Sequence, residues 1–180
     1  GKLFVDAGNG HDVLIGSDGD DILVAGDGND MVLGNGGHDF IIGGDGNDSL
    51  AGHAGNDVIV GGHGNDDIYG NEGNDFLLGN AGDDTLHGGQ GKDSLFGGTG
   101  DDNLYGGAEN DNLFGNAGDD GLFGGGGADS LTGGADEDRF LFQAGDTIVD
   151  KSAQDAQIDF VDLDSWTVTY NGSTINYTGG

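Results

Sequence analysis

The chain repeats a nine-residue unit from Ala7 to Leu141, fifteen times over and without a change of length. The unit is plainest at Gly43-Gly44-Asp45-Gly46-Asn47-Asp48-Ser49-Leu50-Ala51, and the next three begin at Gly52, Gly61 and Gly70. Self-similarity at a fixed period settles the architecture before any single element is assigned. The sixth position is Asp in every unit: Asp12, Asp21, Asp30, Asp39, Asp48, Asp57, Asp66, Asp75, Asp84, Asp93, Asp102, Asp111, Asp120, Asp129 and Asp138. The eighth is always apolar, from Leu14 and Leu23 through Ile59 and Leu77 to Leu131 and Phe140. The fourth is Gly except at Glu109 and Asp136, and the first is Gly except at Ala7 and Ala25.

With U an apolar residue, the pattern G-G-x-G-x-D-x-U-x resembles the RTX (hemolysin-type) calcium-binding nonapeptide repeat over residues 7–141. The resemblance implies an all-β, right-handed parallel β-roll, or β-solenoid, of two short-stranded sheets. It also implies calcium as the ligand, and a secreted bacterial protein exported by type I secretion as the source.

Composition bears on the same point. The net charge is −30, from 34 acidic residues against four Lys and Arg, with 33% hydrophobic residues. That balance describes a disordered polyanion, so without a cation the chain is expected to stay unfolded. Nucleic acid and anionic membranes are poor partners for it, and no stretch is apolar enough to cross a bilayer as a helix. There is no Cys, hence no disulfide framework or Cys-based metal site. No signal peptide is in view, and the sequence begins at Gly1 without a Met, so it reads as a segment of a longer protein.

Within a unit, the first six residues read as a turn and the last three as a short strand. Gly at positions one, two and four permits positive φ, and the Asn or Asp at position five tolerates the left-handed region. Strand alternation points U inward and its two neighbours outward. Such strands become stable only when stacked, with two nonapeptides to a coil and alternate units in opposite sheets. Stacking brings the Asp of units n and n+2 together on one edge, where bare carboxylates repel. A hard divalent ion completed by turn carbonyls reverses the sign. Oxygen ligands without Cys or ordered His favour calcium over transition metals, and its loose geometry suits it better than magnesium. One ion per adjacent turn pair gives an upper count of roughly thirteen, so about ten or more Ca2+ are expected, nearly cancelling the charge.

Elsewhere the chain departs from the repeat. Residues 1–6 fit a degenerate N-terminal repeat or cap, with Val5 at the U position and Leu3 where Asp belongs. Asp18, Asp27 and Asp45 add third-position carboxylates, which are either solvent-facing charges or supplementary ligands. Outward positions on one sheet are apolar (Phe40/Ile42, Val58/Val60, Phe76/Leu78), whereas on the other position seven runs Ser49, Asp67, Thr85, Asn103 and Gly121. The apolar face around Phe40, Val58 and Phe76 is either covered, by a second copy, a neighbouring domain or the C-terminal segment, or held by cross-rung ladders. Glu109 and Asp136 should strain their turns or add a carboxylate, weakening the sites near Asp93, Asp111, Asp129, Asp120 and Asp138. Residues 142–180 read as a C-terminal cap: Asp146–Asp150 and Asp155–Phe160 resemble the segments that close RTX blocks. An Asn171-Gly172 hairpin follows over 166–177, with Trp166, Val168, Tyr170, Ile175 and Tyr177 on one face.

Other chemistries find no support. The sequence has no H-E-x-x-H, no G-x-S-x-G and no G-K-[ST], and Glu72, Glu109 and Glu137 do not fit an EF-hand. His11, His38, His53, His63 and His87 occupy differing repeat positions and read as surface turn residues. The reading is therefore a non-enzymatic calcium-binding module that folds outside the cell. The alternatives are an extension segment of a surface adhesin, or an accessory module of a secreted hydrolase or epimerase.

Overall fold

The structure is a computed structural model that describes residues 1–143 and 145–150 and the strands Gln157–Phe160, Ser165–Tyr170 and Ser173–Thr178, with side chains for 1–141, 143 and 145–149. Among the described residues every regular element is a strand. Strands alternate between two sheets, one of eleven strands and one of nine. Phe4–Asn9, Ile22–Asp27, Phe40–Asp45 and Val58–His63 open the first; Val13–Ile15, Met31–Gly36, Ser49–Ala54 and Asp67–Glu72 open the second. Neighbours within a sheet run parallel and lie one coil, or two units, apart: Leu23 pairs with Ile41 and Ile41 with Ile59, while Leu14 pairs with Val32 and Val32 with Leu50. The β-solenoid of about eight turns matches the expected fold class.

The core is two facing columns of eighth-position side chains. From Leu23 to Leu131 each is fully buried, and Ile148 extends the column in the eleven-stranded sheet. Strand alternation produces this, since inward and outward neighbours differ by one residue. The sheets continue past Leu141: Thr147–Asp150 pairs with Ser130–Ala135, and Gln157–Phe160 pairs with Arg139–Phe142. Ser165–Tyr170 follows in parallel and pairs antiparallel with Ser173–Thr178. Residues 171–172 and the side chains expected to share one face of that hairpin lie outside the described residues.

Two details of the unit differ from the sequence reading. From Ile22 to Ala135 each strand is six residues long, not three, running from position seven of one unit to position three of the next. In Phe40–Asp45 the first three residues pair with Val58, Ile59 and Val60, Gly43 is skipped, and Gly44 and Asp45 pair with Gly62 and His63. The glycine-rich segment is thus a second short ladder beyond a bend. The left-handed residues are at positions two and four, as in Gly44 and Gly46 (φ 127° and 132°), not at one or five. Non-glycine residues at position two, such as Asn35, His53 and Asn71, adopt the same conformation, with φ of 77°, 78° and 80°.

Position five has another role. The Asn47 N–H donates to Asn29 Oδ1 (3.0 Å), and the Asn65 N–H to Asn47 Oδ1 (3.0 Å). Asn, Asp and His recur there because each carries an acceptor that bridges to the next coil. His11 and His38 fill the role with Nδ1, accepting from the Asn29 and Asn56 N–H groups.

Both outer faces carry ring contacts between rungs. Phe40 and Phe76 are exposed and Val58 is half-buried; the Phe76 ring lies diagonally against Phe96, which stacks on Phe114 one coil further along the same column. The face expected to be largely polar carries an aromatic column of its own. Tyr69, His87, Tyr105 and Phe123 stack at 4.6–4.7 Å. His87 is therefore a strand residue within a stack rather than a turn residue, and burial lowers its pKa.

Candidate metal-binding edges

The sixth-position aspartates form two columns, one on each edge of the roll. Fourteen of the fifteen are buried, and Asp12 at the N-terminal end is partly exposed. From Asp12 to Asp129 each N–H donates to the carboxylate one coil further on. The Asp39 N–H reaches Asp57 Oδ1, and the Asp57 N–H reaches Asp75 Oδ1, both at 2.8 Å. On the opposite edge Asp12, Asp30, Asp48, Asp66, Asp84, Asp102, Asp120 and Asp138 are joined in the same way. Successive carboxylates do not simply face each other across a gap, because a main-chain N–H lies between them.

This leaves the second oxygen. In fourteen of the fifteen aspartates, all but Asp21, Oδ2 is buried and has no hydrogen-bond partner. A buried, unpartnered carboxylate oxygen is costly, and fourteen equivalent ones are a pattern, not a defect. Burial, reinforced by neighbouring carboxylates, pushes Asp66, Asp75, Asp102, Asp111 and Asp120 up to about 7, against the donated N–H. Asp84, Asp93 and Asp129 rise to about 6 for the same first cause. The ion-free edge thus disfavours its own charge.

The orphaned oxygens point at the first-position glycines. A methyl group on Gly43 would collide with Asp48 Oδ2 and with the Gly61 carbonyl oxygen, and Gly34, Gly61 and Gly79 repeat the arrangement. Glycine is favoured there because a carboxylate oxygen and a carbonyl oxygen crowd the same small space, with Ala25 the buried exception. Among the described residues no three His, Asp or Glu side chains converge. A cation at these edges must therefore draw most of its oxygens from the main chain. A buried anionic oxygen beside carbonyl oxygens, with no sulfur or imidazole, fits a hard ion such as Ca2+.

Two aspartates behave differently. Asp21 Oδ2 accepts from the Ser17 N–H (2.6 Å) and hydroxyl (3.0 Å), and its Oδ1 from the Leu3 N–H (2.6 Å). Burial raises its pKa, but these bonds outweigh burial and the net shift is downward. Asp146, which the nine-residue count does not reach, is the last of the same column among the described residues: its Oδ1 accepts from the Asp129 N–H (3.0 Å) and its Oδ2 from the Gln143 N–H (2.6 Å). It lies seventeen residues beyond Asp129 instead of eighteen. A search for Asp three residues from the nonapeptide end that tolerates a single deletion would have found it.

The remaining candidates take lesser places. Asp18, Asp27 and Asp45 are exposed; Asp27 accepts from Asn9 and Asp45 contacts His63 (2.8 Å). Glu109 and Asp136 keep the left-handed conformation of the glycines they replace, with φ of 72° and 79°. Glu109 turns its carboxylate to the Gly91 N–H (2.9 Å).

A family model of the RTX calcium-binding nonapeptide repeat, four copies long, matches the chain at overlapping positions: 6–41, 42–77, 69–104, 78–113, 96–131, 105–140 and 114–149. No curated protein matches the chain.

Proposed function

Because this chain belongs to the RTX calcium-binding nonapeptide repeat family over residues 6–149, we propose that its sixth-position aspartates are calcium ligands and that calcium drives its folding. The family's repeats form a calcium-binding module and not a catalytic one, and proteins that carry them are typically secreted by type I secretion. The observation that carries the proposal is the set of fourteen buried Oδ2 atoms without partners. Each would be one ligand of an ion, with turn carbonyls such as that of Gly61 supplying others. The bound ion neutralises an edge that otherwise raises its own pKa values.

Folding and binding are then one free-energy process. A site held at a hundred times its dissociation constant adds about 2.7 kcal/mol, so ten or more sites would exceed the whole stability of an ordinary domain. At low calcium the polyanion stays open; outside the cell it closes into the roll. We assign residues 1–6 and 142–180 to capping, since solenoid ends need covering, and we assign no reaction to this segment.

Far-UV circular dichroism in chelator, titrated first with calcium and then separately with magnesium, tests the proposal. The expected result is a steep change from disorder to β-structure with calcium alone. A β spectrum already present in chelator at neutral pH would refute it.

A further inference from the structure

One of the two aromatic columns stops abruptly. On the eleven-stranded sheet Phe96 and Phe114, both at position nine, stack with ring centroids 4.7 Å apart and within 6° of parallel, and the position-seven ring of Phe76 lies diagonally against Phe96 at 5.1 Å. The next rung sets Thr132 beside Phe114, and Val149 lies on the strand after that. Threonine is far shorter than a phenyl ring, so the column has a gap one ring deep. A cavity of about 540 Å³ opens there, lined by Phe114, Val149, Thr132, Thr99, Asn116 and glycine backbone. That volume is typical of small-molecule sites, which run from about 300 to 1,000 Å³.

The gap's dimensions select a ring. Two rungs span roughly 9.6 Å, so a single ring in the slot would lie one stacking distance from Phe114 and one from Val149. The face of Phe114 carries the negative lobe of its quadrupole and attracts C–H bonds with partial positive charge. The rim is polar. Thr99 and Asn116 each spend one donor on the main chain, to the Asn80 and Phe114 carbonyls at 3.4 and 3.3 Å, which leaves their oxygens to accept. Thr132 adds a hydroxyl. No charged side chain lines the slot, which suits a neutral ligand.

We propose that this slot binds a neutral pyranose, the terminal sugar of a glycan, with its C–H face on Phe114 and its hydroxyls at Thr132, Thr99 and Asn116. An aromatic side chain would satisfy Phe114 but leave the rim without partners, which costs affinity. The site stands on the outer face of the sheet and uses none of the edge carboxylates.

Saturation-transfer NMR in calcium-containing buffer tests it, with methyl β-D-glucopyranoside, methyl β-D-galactopyranoside and N-acetylglucosamine as sugars and p-cresol as the aromatic comparison. Thr132→Phe fills the slot with the residue already present at that position in the two preceding rungs, and Phe114→Ala removes the platform. The expected result is transfer to the ring C–H protons of at least one sugar, lost in both variants while the circular dichroism spectrum is kept. Should Phe114→Ala misfold, Thr132→Phe alone decides. Transfer to no sugar, or to p-cresol only, overturns the proposal, as does sugar binding that survives Thr132→Phe.

Discussion

Among the described residues, the ends and the interior of one aspartate column solve the same problem in different ways. At Asp21 and Asp146 the second carboxylate oxygen takes an N–H from its own turn, Ser17 in one case and Gln143 in the other. At Asp39, Asp57, Asp75, Asp93, Asp111 and Asp129 no such donor is present and the oxygen is left bare. The end turns are satisfied by the polypeptide alone, whereas the interior turns need a charge brought from outside. The ion, in this reading, does the work of a missing N–H.

Chelation should separate the two most sharply. Removing calcium at neutral pH is predicted to abolish β-structure across the interior repeats. Hydrogen exchange should then show Ile59, Leu77 and Leu95 unprotected; retained protection would mean that the columns of Leu and Ile suffice without ions.

Single substitutions come next. Asp75→Asn keeps an acceptor for the Asp57 N–H but removes the anionic oxygen, so the calcium midpoint should rise roughly tenfold, equivalent to about 1.4 kcal/mol. Asp21→Asn should shift the calcium midpoint much less, because Ser17 already occupies its second oxygen. Equal shifts in isothermal titrations of the two variants would erase the distinction between end and interior.

Acid should mimic calcium in part. Asp66, Asp75, Asp102, Asp111 and Asp120 reach about 7 in the folded chain against 3.8 as the ordinary value. The roll therefore holds more protons than the open chain between those limits. Ion-free stability is fully present below about 4 and lost as pH rises through about 7. A pH titration in chelator should show β-structure appearing on acidification, and a flat ellipticity from pH 8 to 4 would contradict the burial argument. With calcium present the order reverses, since protons compete for the same oxygens and the midpoint rises as pH falls.

The smallest effect is expected at Glu109. Glu109→Gly relieves a left-handed side chain, a gain of about 1 kcal/mol, but gives up the bond to the Gly91 N–H. The net change in calcium-loaded melting temperature should be close to zero. A large rise would show that strain dominates, and a large fall that the carboxylate contributes to a site.

Much of this was legible in the sequence because repetition exposes what each column does. Invariant Asp and invariant apolar residues, nine apart, are enough to place two edges and a core. Position five was misread for a physical reason: Asn and Asp suit both a left-handed turn and a side-chain acceptor, so residue type cannot tell the two apart. The glycines hid half of each strand, since Gly44 pairs with Gly62 despite a φ that reads as a turn. Asp146 escaped because one missing residue breaks the count, and the self-satisfied Asp21 because Ser17 looks like any other turn residue. The Tyr69–His87–Tyr105–Phe123 stack was missed where position nine on that sheet was passed over in favour of position seven.

Because like sheets meet every second unit, the array has a parity. Removing Gly88–Phe96 alone would move every later unit to the opposite sheet, setting Tyr105 beside Leu78 and Phe114 beside His87. The core would not notice, for both sheets bury the same kinds of residue, but both aromatic columns would be scrambled. Removing residues 88–105 together would leave each column in its own order. A roll whose outer faces carry distinct information can lengthen or shorten without losing it only by whole coils.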